Sequence, residues 1–118
     1  MSLLGGVENV ILNTTRIVVI PGKRKEFFLT VNRLRGAFEA SNGCLAFNIY
    51  VDPGDENASL LLSEWDTEAD LNNHLRSENF AILHGAMEVL ATRIDEFRAL
   101  ILSGSTQIAE GPFSMISR

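Results

Sequence analysis

The chain has 118 residues, 46% of them hydrophobic and 21% charged, with a formal net charge of −5. That is the composition of one ordinary globular domain, long enough to bury roughly two thirds of its unfolded surface. The acidic balance argues against a nucleic-acid binder, which needs a basic face. Lys23, Arg24 and Lys25 are only three charges where a helix begins. No run of about 18 apolar residues is present, so no membrane-spanning helix is expected. The start, MSLLGGVEN, lacks the positive region and apolar core of a secretory signal, and a single cysteine cannot form an internal disulfide. Both points fit a reducing cytoplasm.

In chain order, residues 1–8 hold a Gly5-Gly6 pair and little pattern, and read as a loose end. Asn9 to Ile20 ends in a β-branched run and reads as a strand, stopped by Pro21-Gly22. From Lys23 to Ala40, Phe27, Val31, Leu34 and Phe38 fall at helical spacing and form one buried stripe. Asn42-Gly43 closes that helix by a left-handed turn. Cys44 to Val51 alternates, with Phe47 and Ile49 on one face and Asn48 and Tyr50 on the other. A turn cluster from Asp52 to Asn57 leads to a third strand, Ser59 to Trp65, and so short a connection makes the two strands antiparallel.

Thr67 and Ser77 each precede a helical pattern and offer a side-chain oxygen to cap it, and Asp70 stands where a capping box is answered. Phe80, Leu83, His84, Met87 and Leu90 share one stripe of the second of these helices. Both histidines, His74 and His84, and the only tryptophan, Trp65, therefore fall in one stretch that is building an apolar interior. Thr92 to Asp95 reads as a connection, Glu96 to Ser103 as a fourth strand, and residues 105–118 as a polar tail with a few apolar points. One domain over residues 9–104 is expected. The order strand, helix, strand, strand, two helices, strand is the split βαβ pattern of a ferredoxin-like α+β fold with an antiparallel sheet. Helices cover one face of such a sheet. Apolar residues on both sides of the second and third strands predict that the other face meets a second copy, giving a homodimer.

The segments VVIPGKRKEF, NGCLAFNIYVDP, LLSEWDTEADLNNHLRSENF and EFRALILSG, in that order and spacing, span about Arg16 to Gly104. They resemble the antibiotic biosynthesis monooxygenase superfamily, in particular its quinol-monooxygenase-like branch. The resemblance implies a dimeric α+β barrel and a pocket between sheet and helices. In it a small aromatic substrate (a quinol, phenol or anthrone) is oxidised by O2 without a cofactor or metal. It implies His74 or His84 as the base, with Thr15, Phe47, Trp65, Phe80 and Met87 lining the substrate site. Trp65 matches the tryptophan that follows the acidic residue of the third strand in this superfamily. Some members also carry an asparagine where this chain has Leu61, which departs from the anthrone-type polar set.

Small heme-degrading relatives of the same fold place a heme-ligating histidine where His84 stands. Here the tryptophan they carry ten positions earlier is His74, and the asparagine of their first strand is Thr15. Heme ligation by His84 is therefore the alternative cofactor assignment, and a non-catalytic ligand-binding domain is the alternative function. Structural roles remain open as well. His84 can be a buried imidazole bonded to a carbonyl, His74 a helix-end cation and Trp65 a core or dimer contact. Asp52, Asp55 and Glu56 lack metal-ligand spacing and read as a solvated turn.

Overall fold

In the computed structural model, residues 9–101 are described. The segments at 1–8 and 105–118, and the last residues of the expected domain, lie outside them. Seven elements follow in the order β1 (Val10–Val19), α1 (Arg24–Glu39), β2 (Cys44–Asp52), β3 (Asp55–Trp65), α2 (Glu68–Leu75), α3 (Glu78–Leu90) and β4 (Ala91–Ile101). The four strands form one antiparallel sheet in the order β2-β3-β1-β4, a ferredoxin-like α+β arrangement.

The alternation of β1 divides the molecule. Ile17 and Val19 point toward the helices and join Phe47 of β2 and Leu61 of β3 in the main core. From the other side, α1 contributes Phe27, Val31, Leu34 and Phe38, the stripe that its spacing predicts, and α3 contributes Leu83, Met87 and Leu90. Val10 and Leu12, one residue out of phase, form a separate cluster with Ile101 on the face away from the helices. Among the described residues, no helix is long and apolar enough to cross a membrane.

The helix starts follow the capping residues. Thr67 accepts from the Asp70 backbone N–H at 3.1 Å and Ser77 from that of Phe80 at 3.1 Å, each satisfying one of the donors a helix start leaves open. The Thr67 hydroxyl also donates to the Asp70 carboxylate at 2.8 Å, so Asp70 answers the cap through its partner's side chain.

Two boundaries differ from the sequence reading. The hairpin turn is shorter than the six-residue cluster, and β3 already begins at Asp55. The Asp52 carboxylate accepts from the Gly54 N–H at 2.7 Å and so folds the chain within Pro53-Gly54. Strand β4 begins at Ala91, directly after α3, because Ala91 and Arg93 to Asp95 pair with β1, with Thr92 at a bulge, rather than forming a connection. A polar edge segment alternates too weakly to announce itself, and ladder pairing decides it.

Gly43 and Gly22 both hold positive φ, at 76° and 89°. A Cβ at Gly22 would meet nothing, whereas one at Gly43 would collide with the Cβ and carboxyl of Asp70, the residue that the Thr67 cap engages. Gly22→Ala should cost about 1 kcal/mol from the left-handed backbone alone. Gly43→Ala should cost at least about 2 kcal/mol, because Asp70 must also leave its cap. Urea unfolding of the two variants measures the difference.

Candidate functional site

The site is built on the helix-facing side of the sheet, where β3 ends and α2 crosses it. Trp65 closes β3 and is fully buried. Its indole N–H donates to the Ser63 hydroxyl at 2.8 Å, and that hydroxyl donates to the Asn13 carbonyl at 3.4 Å. Ser63 and Trp65 share a face because they are two residues apart on a strand. The ring of Trp65 is thereby fixed in plane, and His74 lies against it with centroids 4.6 Å apart at 32°.

His74 comes from the last turn of α2 and is 6% exposed. Two more rings enclose it edge-on, Phe38 of α1 at 4.8 Å and Phe80 of α3 at 5.2 Å. Its Nδ1 is buried and has no hydrogen-bond partner among the described residues. Burial among these apolar rings pulls the pKa from 6.5 down to about 4, because the imidazolium loses its water and gains no counter-charge. His74 is therefore a neutral imidazole at pH 7.

Of the residues expected at the site, the fold brings together His74, Trp65 and Phe80. Phe47 stands one ring further off, 5.1 Å from Phe38. Thr15 is buried on β1 opposite Leu61, on the same helix-facing side. Met87 belongs to the main core with Leu83 and Leu90.

His84 requires a correction. It does not point into the interior: its side chain is 49% exposed, and Nδ1 lies 3.4 Å from Glu88 on the next turn. Leu83, Met87 and Leu90 take the inward stripe of α3, and a residue one step past Leu83 is turned about 100° away from it. Among the described residues, Phe80 stands between the two imidazoles, its ring 5.2 Å from that of His74 and 6.2 Å from that of His84.

Two cavities formed by described residues lie away from both histidines. One cavity of about 250 Å³ opens at the β2 edge beside Glu39, Cys44 and Phe47. Another of about 310 Å³ lies by the hairpin, beside Arg16, Tyr50 and Leu60. Cys44, at the first of these, has its thiol pushed up to about 11 by burial, so it is no nucleophile at neutral pH.

Three contributors escaped the sequence reading. Phe38 was assigned to the core stripe, which is true, but the same ring also walls His74. Ser63 could have been found by counting two residues back from Trp65. Arg98 is opposite Asn13 on the helix-facing side of β4, and it stands 3.6 Å from Glu68 at the start of α2. A cation between Phe97 and Ala99 was the available signal. No group of three or more metal-ligating side chains is gathered among the described residues.

Heme does not fit the residues at His84. The ring stands half in solvent on the outer side of α3 with Phe80 as its aromatic neighbour, and His74, ten positions earlier, is held in the ring cluster.

The pH dependence of stability tests the state of His74. The unfolded chain titrates this group near 6.5 and the folded protein near 4, so on acidification the unfolded state takes up the proton first. Its contribution to stability is full above pH 6.5, is lost as pH falls toward 4, and is level below that. Between pH 7 and pH 4 the native protein should lose of the order of 3 kcal/mol from this group, and His74→Phe should lack that component. Denaturant titrations of both proteins at several pH values give the comparison.

Comparison with known proteins agrees with this architecture. A protein of solved structure from Pseudomonas aeruginosa superposes with a TM-score of 0.74 at 20% identity, covering 84% of this chain and 100% of its own. A conserved protein from Methanosarcina mazei gives 0.72 at 20% identity, over 81% of this chain and 94% of its own. A structure named antibiotic biosynthesis monooxygenase gives 0.70 at 19% identity, over 80% and 99%. At these identities the likeness is one of fold. No curated protein matches in sequence. Residues 10–86, which run from β1 through most of α3, match the antibiotic biosynthesis monooxygenase family, and the chain belongs to that family.

Proposed function

We propose that this protein is a cofactor-independent monooxygenase acting on a small aromatic substrate of quinol, phenol or anthrone type. The observation that carries this reading is the neutral His74 imidazole, with a free Nδ1, packed among Trp65, Phe38 and Phe80 in a chain of this family. A neutral imidazole can accept a phenolic proton, and an anion beside it raises its pKa, so the base strengthens as the substrate ionises. The electron-rich anion then reduces O2. One oxygen atom enters the ring carbon and the other leaves as water: the substrate loses two hydrogens to that water, gains one oxygen, and supplies all four electrons that O2 takes up.

His74→Gln should lower O2 consumption with menadiol or an anthrone at least about 100-fold, the usual scale for loss of a general base. His84→Ala should lower it less than about tenfold. An oxygen electrode measures both, and equal losses would overturn the assignment of roles.

A second reading is a non-catalytic binding domain. It is favoured by the close packing of three rings about His74, and it predicts ligand binding with no O2 uptake in either background. We further propose that the sheet face opposite the helices pairs with a second copy. Leu60, Leu62 and Phe97 are half-buried there and Tyr50 is 41% exposed. Sedimentation equilibrium should give twice the chain mass, and Leu62→Lys should shift it toward the monomer. The reducing cytoplasm belongs to the same proposal, and the lone cysteine supports it.

A further inference from the structure

The helix layer does not close the whole sheet. From Glu96 onward, the residues of β4 that point to the helix side (Glu96, Arg98 and Leu100) are exposed. Next to them on β1, Ile11 and Asn13 are half-buried and Thr15 is buried. Register lines these up in three rows: Trp65–Ile11–Leu100, then Ser63–Asn13–Arg98, then Leu61–Thr15–Glu96. The result is an open shelf beside Trp65, with an apolar row and a polar row about 7 Å apart along the strands.

The polar row carries one cation whose recorded partner is a weak one. Arg98 meets Glu68 at 3.6 Å, with the two side chains 38% and 66% exposed. An exposed pair at that distance is a weak one. A carboxylate meeting the guanidinium with two parallel hydrogen bonds is a far better partner. Glu96, two residues away on the same side, repels an anion from that direction. The charge must therefore approach over Ile11 and Leu100, which lays the ring of its carrier on those two side chains.

We infer that this shelf binds an aromatic carboxylate, with Arg98 as the residue that selects for the charge and Glu68 as the competitor it leaves. The inference deepens the monooxygenase reading by naming the substrate class, and it rests on that reading for the chemistry but not for the binding.

Calorimetric titration at pH 7 with 2-naphthoate and with neutral 2-naphthol tests it. The native protein should bind the naphthoate roughly tenfold more tightly, as a charge-assisted pair provides, and the margin should shrink with added salt. Arg98→Gln should bring the two ligands to within about twofold while leaving the 2-naphthol affinity unchanged, which also shows the variant to be folded. Glu68→Gln should tighten naphthoate binding alone. A preference that survives Arg98→Gln, no preference in the native protein, or no binding of either ligand would overturn the inference. Oxygen uptake is scored separately. Arg98-dependent binding without turnover of any quinol or anthrone would sink the oxygenase reading and leave the shelf standing.

Discussion

Strand β1 lies between β3 and β4, and its pairing with both sets which side chains meet across the sheet. Because strand side chains alternate with a period of two, a slip of one residue would exchange the faces. Ile17 and Val19 would leave the main core, and Arg16 and Val18 would enter beneath the helices. The penalty of burying Arg16 while exposing two β-branched residues holds the register in place. That same register sets Asn13 between Ser63 and Arg98 and brings Ile11 beside Trp65. The site is thus a by-product of the core: the residues that fix β1 are at its Val19 end, and the polar rows they position are at its other end.

His74 shows what such a position does to chemistry. Three rings exclude water from it and no charge among the described residues offsets that loss, so the charged form is strongly disfavoured. An imidazole with a pKa near 4 is by itself a weak base at neutral pH. Its strength depends on what comes next to it, since a negative charge arriving in a poorly hydrated place acts with little screening. Under the proposed function the base and the bound anion therefore support one another, and an empty site keeps its proton acceptor inactive. Trp65 contributes by position: its N–H is tied to Ser63, which leaves the face of the indole to His74.

The parts legible in the sequence were those governed by local periodicity and capping. The stripe Phe27-Val31-Leu34-Phe38, the caps at Thr67 and Ser77, and the alternation of Phe47 and Ile49 each follow from spacing alone, and they suffice for the order of elements. His84 failed because Phe80, Leu83, His84 and Met87 all fit a stripe broad enough for either side. Only packing shows that Leu83 takes the centre and leaves His84 with Glu88. The shelf was illegible for a different reason. Its rows join residues more than thirty positions apart, from Trp65 to Leu100 and from Ile11 to Trp65, and no local pattern encodes a register between strands.

The overall charge bears on the same question. At −5 the chain repels an anion at a distance, yet beyond about 8 Å that repulsion is largely screened at physiological salt. What an approaching carboxylate meets at contact is decided by Arg98, Glu68 and Glu96, with Glu68 held off only as long as the guanidinium finds a better partner. A cation flanked by two carboxylates is a poor general attractor of anions and a selective one. It rewards a ligand whose charge can reach it from the apolar side, and it offers little to a small inorganic anion with no ring to lay against Ile11 and Leu100. Shape and charge are in this way read together, on a surface that the helices leave open.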